Sequence, residues 1–228
     1  KAVVLGAPQA DHLLVSARTS GGQRDAKGVS LFLVPRTAKG VSTRDYPTMD
    51  GTRASEVYFE NVAVGADALV GGADNALPVI ERIVDEANAA YCSEAVGCMR
   101  MMTDLTREYA KTRKQFGRAI SEFQVLQHRM VDMFMATEES YSMALRATIK
   151  LGESDEYRAK AVSAAKVSIG KHARFVAQAA VQIHGGMGVT DEMRVGHYFK
   201  RVTMLDATFG NVDYHLKRFT TLNAKDVA

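Results

Sequence analysis

The sequence predicts an α+β chain: an antiparallel β-domain with the form of a partial barrel, followed by an antiparallel four- to five-helix bundle. Three observations carry this. Short runs rich in β-branched and aromatic residues, separated by glycine turns, fill the chain as far as Val70. From Leu77 onward apolar residues recur at three- and four-residue steps instead. All four prolines (Pro8, Pro35, Pro47 and Pro78) fall before residue 79, which leaves the later part free of helix breakers of that kind. The expected boundaries are 1–72 for an incomplete β-domain and 76–225 for the bundle.

Composition narrows the function classes. The chain has 228 residues, 46% of them hydrophobic and 24% charged, the balance of an ordinary globular protein. No apolar run reaches the ~18 residues a membrane span requires, so no membrane partner is expected. A net charge of +3 is too small to argue for nucleic acid. Lys1 opens the chain with no signal-peptide pattern after it, so the natural N-terminus is expected to be absent and the location cytoplasmic. Cys92 and Cys98 lack metal-ligand or Cys-x-x-Cys spacing and read as reduced, packed thiols.

In the β-domain, strands are expected at Leu13–Ala17, Val29–Val34 and Glu56–Phe59. Gly21-Gly22, Lys39-Gly40 and Asp50-Gly51 supply the turns between them. Asp11 and His12 read as surface or turn residues, and nothing in this part has catalytic spacing.

A first helix is expected from about Ala76 to Thr112. A second follows Gly117, with Phe123, Leu126, Met130, Met133, Thr137, Tyr141 and Leu145 along one stripe. Leu151-Gly152 and Glu153-Ser-Asp155 mark a connection. The third carries Val162, Ala165, Ile169, Ala173, Val176, Ala180 and Ile183 on one face. Its many alanines allow close helix approach. Thr190-Asp-Glu192 reads as the next helix start, with acid in the first turn. A last amphipathic segment runs to about Thr221 with a break near Gly210. Short connections between such helices make an antiparallel bundle.

Two stretches in the bundle point to chemistry. Gln182-Ile-His-Gly-Gly-Met-Gly188 closes the third helix, and its glycines stop a helix while letting backbone approach a ligand. Alone, such a run is a helix cap and a turn. The second stretch is Arg113-Lys-Gln-Phe-Gly117, followed by Phe123-Gln124 and Gln127. It offers a guanidinium fork for phosphate, an aromatic ring for a base and an amide for an adenine edge, the parts of a nucleotide clamp. Taken singly, Arg113 reads equally as a surface cation, Phe116 and Phe123 as core, and Gln124 as a helix-surface amide.

Together, R-K-Q-F-G-R-x-I-x-x-F-Q-x-x-Q, then Q-I-H-G-G-M-G, then Lys200-Arg201 resemble the C-terminal part of the acyl-CoA dehydrogenase family of flavoproteins. Ala2 to Val70 resembles the latter half of that family's β-domain. The resemblance implies FAD as cofactor and an acyl-CoA thioester as substrate, losing an α-proton to a carboxylate and a β-hydride to the flavin. It implies that Arg113 meets the pyrophosphate, with Phe116, Phe123 and Gln124 beside the cofactor. Gln182, Ile183, His184, Gly185 and Gly186 would contact the adenosine half. His184 stands where some members have Phe, so stacking and hydrogen bonding both stay open. Because a neighbouring subunit's bundle grips this end of FAD in the family, copies of the chain or a homologous subunit are expected, as dimer or tetramer.

One departure stands out. The family commonly places its catalytic Glu in a Glu-Gly-Thr motif about nine residues beyond an Arg matching Arg201. Here that position falls at Gly210, or at Phe209 when the glycine is matched. The other location in the family aligns with Ala87. Asp85 and Glu86 are adjacent, but one helical residue is ~100° of rotation. Asn88 replaces an Arg that often follows. Three accounts follow: Glu86 or Asp85 turns inward; Asp206, Asp213 or a residue outside the chain serves; or the chain is a non-catalytic, FAD-sharing subunit of a heteromeric dehydrogenase. A superfamily flavin oxidase is a further alternative. The resemblance also implies that the domains holding the flavin ring lie outside this chain, so that the chain alone binds FAD poorly. His215 and Tyr214 read as capping or core hydrogen-bonding groups.

Overall fold

A computed structural model describes residues 1–224. The expected end of the bundle at residue 225 lies just outside them. The chain forms two compact units, 1–83 and 84–228, each described by itself.

The first unit is two three-stranded antiparallel sheets. In one, β5 (Arg53–Phe59) lies between β1 (Val4–Leu5) and β4 (Val41–Pro47). In the other, β3 (Val29–Pro35) lies between β2 (His12–Arg18) and β6 (Leu69–Val70), with Leu13 opposite Val34 and Val15 opposite Phe32. Leu13, Val57 and Ala7 are buried with Val4, Val15, Val41 and Phe59 packed on them. Alternation along each strand sends these side chains to one face.

α1 (Leu77–Thr112) runs on into the second unit. There follow a short hairpin, β7 (Lys114–Gln115) with β8 (Arg118–Ala119), then α2 (Gln124–Lys150), α3 (Asp155–His184), α4 (Arg194–Ala207) and α5 (Val212–Ala224). The α3 stripe from Val162 to Ile183 is buried as its spacing predicts. Small residues such as Ala165, Ala177 and Ala180 let α3 lie against α2, α4 and α5. Met99, Met102, Met133 and Val176 fill the space between helices.

Two local expectations are corrected. On α2 the stripe does not hold to its end: Tyr141 and Leu145 are exposed, and Ala136, Ser140, Ala144 and Ala147 are buried instead. Two successive four-residue steps each overshoot a 3.6-residue turn, so the predicted stripe rotates off the core. α4 begins at Arg194, not at Thr190. The Thr190 hydroxyl donates to the Met187 carbonyl at 3.0 Å and closes a 3₁₀ turn, Gly185–Val189, before the helix starts. Among the described residues no helix is long and apolar enough to cross a membrane.

Candidate functional site

The hairpin after α1 is the local device on which the site depends. Ile120 N–H donates to the Arg113 carbonyl at 2.8 Å and closes it. Its tip is Phe116-Gly117, both left-handed, with φ of 53° and 82°. Two-residue hairpins need this geometry because it matches strand twist, and Asn-Gly supplies it without strain. A phenylalanine in the first tip position is a steric outlier. Its ring, moreover, is 92% exposed. Phe116 is therefore not core. A bulky apolar residue held in a costly backbone conformation and presented to solvent is the kind of strain that collects at binding sites.

Phe116 stands edge-on to Phe123, with ring centroids 6.2 Å apart. The Arg118 guanidinium lies 4.3 Å from the Phe123 centroid, a cation–π contact that fixes that ring. Behind them α3 ends. Gly185 has φ 60° and ψ −140°, which only glycine adopts readily. The chain turns there into the 3₁₀ segment and leaves Gly185 and Gly186 exposed.

These pieces meet. Arg113, Phe116 and Phe123 line one open trough with the Gln182–Gly186 segment, about 800 Å³ in volume. Eight of the nine residues singled out from sequence for cofactor contact (Arg113, Phe116, Phe123, Gln182, Ile183, His184, Gly185 and Gly186) are in its lining. Gln124, the first residue of α2, is exposed but lies outside the lining. The Arg113 side chain has no hydrogen bond or ion pair among the described residues.

Tyr109 was not among the residues singled out. Its ring stacks on His184 at 4.3 Å and 24°, and its hydroxyl is 3.4 Å from the His184 carbonyl. The signal was available: Tyr109 precedes Arg113 by one helical turn and so shares its face. His184 is 2% exposed. Its Nδ1 donates to the Ala180 carbonyl at 2.8 Å, while Nε2 is buried with no partner among the described residues. Burial holds the imidazole below its usual range and so neutral, the bond to Ala180 opposing this only in part.

The positions at which the resemblance expects a carboxylate base, 209, 210 and 87, carry none. Phe209 is stacked on Tyr91 at 5.9 Å. Gly210 has φ +105°, and a Cβ there would lie 2.3 Å from the Tyr214 ring. Asp85, one of the two acids expected to turn inward as a base, does turn inward, but onto cations. It is fully buried, with Arg218 on both its oxygens and Arg158 on Oδ2, and so ties α1 to α3 and α5. Glu86 lies on the exposed side of α1. Asp206 is paired with Arg174 at 3.1 Å, and Asp213 sits in the first turn of α5, where the helix dipole favours it.

His215 is a core hydrogen-bonding group. Its Nε2–H donates to the Phe209 carbonyl at 3.2 Å, and Nδ1 accepts from Ser163 Oγ at 3.3 Å. Burial, with the Lys166 ammonium next in size, pushes it down to about 4. Both cysteines are buried and unbridged, and burial pushes the Cys92 thiol up to about 12.

Comparison with known proteins agrees with this fold. Residues 77–220 match the family model for the acyl-CoA dehydrogenase C-terminal domain, and residues 1–62 match that for the acyl-CoA dehydrogenase middle domain. The chain belongs to the acyl-CoA dehydrogenase family, whose members are FAD-dependent oxidoreductases. It is 27% identical to the human mitochondrial short-chain specific acyl-CoA dehydrogenase over 88% of this chain and 49% of that protein. The glutaryl-coenzyme A dehydrogenase structure with glutaryl-CoA superposes with a TM-score of 0.90, at 22% identity, over 100% of this chain and 58% of that one. A structure described as the Tcur3481-Tcur3483 steroid ACAD G363A variant gives 0.84 at 28% identity, over 100% of this chain and 59% of that one. The chain spans about half the length of the curated relatives it matches.

Proposed function

We propose that this chain is part of an FAD-dependent acyl-CoA dehydrogenase, and that its trough receives the ADP half of a flavin held mainly by a second subunit. One observation carries the reading: a guanidinium with no partner among the described residues, two aromatic rings and a glycine-turned helix end, far apart in sequence, line a single trough. The residues fit the group. Arg113 supplies charge and two parallel donors for a pyrophosphate. Phe116 and Phe123 offer apolar faces beside it, and His184 Nε2, buried with no partner among the described residues, is left as an acceptor. FAD, when bound, supplies the hydride acceptor for α,β-dehydrogenation of an acyl-CoA thioester.

This chain's own residues bind and orient; the positions at which the resemblance expects the base carry no carboxylate. That favours a second element of the reading, that the chain lends cofactor contacts to a partner that carries the base. The observation behind it is the aromatic and glycine occupancy of positions 209 and 210 together with the burial of Asp85. The relative described as Tcur3481-Tcur3483 steroid ACAD pairs two components in its own name, which supports a heteromer here. A homo-oligomer in which Glu86 serves is the alternative.

The test is flavin retention in the assembled protein. Arg113→Ala is expected to weaken FAD binding by about 1.5–3 kcal/mol, the worth of a hydrogen bond to a charged group. Unchanged flavin occupancy after gel filtration sinks the trough assignment. Counting flavin per subunit, and asking whether a Glu-bearing homologue co-purifies, separates heteromer from homo-oligomer. Loss of substrate-induced flavin bleaching in Glu86→Gln would instead favour the homo-oligomer.

A further inference from the structure

We infer that the outward face of α2 is a two-fold contact between copies of this chain, in which two α2 helices lie antiparallel and cross near Tyr141.

That face is a second apolar stripe on a helix whose first stripe already fills the core. Met133, Ala136, Ser140, Ala144 and Ala147 are buried. On the other side Val131, Phe134, Met135, Tyr141, Leu145 and Ile149 are 39–71% exposed. At about 100° per residue they all fall within roughly 120° of the helix circumference. Val131, Phe134, Glu138, Tyr141 and Leu145 step alternately by three and four residues, the seam along which two helices pack. So continuous a stripe of large apolar side chains is not the scattered exposure of an ordinary surface. Glu138, within the stripe, faces Arg100 at 3.6 Å, and that guanidinium lies 4.3 Å from the Tyr141 centroid. The acid in the seam thus brings its own cation.

Charge selects the occupant. Along the flank beside α3 lie Asp132 and Glu139 in the first half of the helix, and Arg146 and Lys150 in the second. A two-fold axis that makes the helices antiparallel lays this flank against the same flank of the other copy, reversed. Asp132 then stands opposite Lys150, and Glu139 comes within side-chain reach of Arg146, each pair twice. A parallel pair turns the two flanks apart and forfeits both contacts. Asp132 and Arg146 have no ion pair of their own among the described residues. Lys150 meets Glu153 at 3.0 Å and Glu139 meets His172 at 3.8 Å, both in reach of solvent. Equal acid and base also speak against a lipid surface, which selects a basic flank.

None of the stripe residues lines the trough, and the contact does not depend on what the trough binds. For a heteromer it sets a count: two copies of this chain in each assembly, joined to each other.

The test is made on the assembled protein. Native mass spectrometry is expected to find two copies of this chain. Ile149→Glu, at an exposed position, is expected to raise the dissociation constant of the two-copy form about tenfold or more, with the helical circular dichroism unchanged. Asp132→Lys and Lys150→Asp are each expected to weaken association by about three- to tenfold, since symmetry makes each change twice. The double exchange is expected to return it to within about threefold of wild type, a rescue that a merely structural role would not give. A photo-crosslinker replacing Phe134 is expected to join two copies of this chain. A single copy per assembly overturns the inference. So does a two-copy form whose dissociation none of these variants alters, because the copies then meet elsewhere. A cross-link from position 134 to a different polypeptide, or to another part of the same chain, overturns it as well.

Discussion

Arg218 on α5 grips Asp85 on α1 with a hydrogen bond to each carboxylate oxygen, across 133 residues of sequence. Arg158 on α3 adds a third, Nε to Oδ2 at 3.3 Å. Three helices are thus tied at one buried anion. Removing the charge while keeping the volume leaves two guanidiniums facing an amide. Asp85→Asn is expected to cost about 3–5 kcal/mol, the range for breaking a buried pair from one side. Urea unfolding measures it. A variant as stable as wild type would show that Asp85 is not the tie described.

Acid sensitivity follows from His215. Its folded value is about 4, against an ordinary 6.5, because burial and the neighbouring Lys166 disfavour the imidazolium. Arg218 adds to this and Asp85 opposes it, and the Phe209 carbonyl also favours the charged form. The unfolded chain therefore binds a proton that the folded chain refuses between those values. The stability contribution is full above about pH 6.5 and is lost as pH falls toward 4, roughly 3 kcal/mol in all. His184, also held below its usual range by burial, adds a loss of the same sign. His215→Gln is expected to flatten the fall in unfolding free energy over that window. Parallel curves for variant and wild type would place the acid sensitivity elsewhere.

Phe116 trades stability for presentation. With φ of 53° and an almost fully exposed ring, it gains little from packing and strains the hairpin tip. Phe116→Asn supplies the residue this turn prefers. It is expected to raise unfolding stability by about 0.5–1 kcal/mol while lowering flavin retention in the assembled protein. Thermal unfolding and bound-flavin absorbance give the two halves. If both quantities fall together, the tip is structural and not a ligand contact.

Much of this architecture was legible in the residues, for reasons that differ by element. The α3 stripe and the extent of α1 were readable because helical spacing persists over many turns there. β4 was not singled out: Ser42, Arg44 and Asp45 make Val41–Pro47 read as a polar segment, and it lies at a sheet edge, where charges are tolerated. The β7–β8 hairpin escaped because strands of two residues have no period, and Phe-Gly is not a usual tip. In the trough, Arg113 and the Gly185–Gly186 turn could be paired from resemblance, yet no local pattern shows that Tyr109 lies on His184. That contact joins residues 75 apart. The tautomer of His184, likewise, depends on how α3 ends and which carbonyl is left within reach.

Restoring a carboxylate separates positions 209 and 210 sharply. At Gly210 the backbone has φ +105° and the Tyr214 ring occupies the space a Cβ needs, with Cδ1 at 2.3 Å. Gly210→Glu must both strain the backbone and displace Tyr214, and is expected to cost about 2 kcal/mol or more. At Phe209 the backbone is left-handed too, φ 54°, but it already carries a side chain, and that side chain is 46% exposed. Phe209→Glu forfeits the stack on Tyr91 and leaves the His215 bond to the 209 carbonyl in place. It is expected to cost about 0.5–1.5 kcal/mol, the worth of an aromatic pair. Chemical denaturation of the two variants should therefore rank them with position 209 the milder. If Gly210→Glu proves the better tolerated, the loop after α4 is held less firmly than Tyr214 and His215 suggest, and a base at that position becomes structurally admissible in this chain.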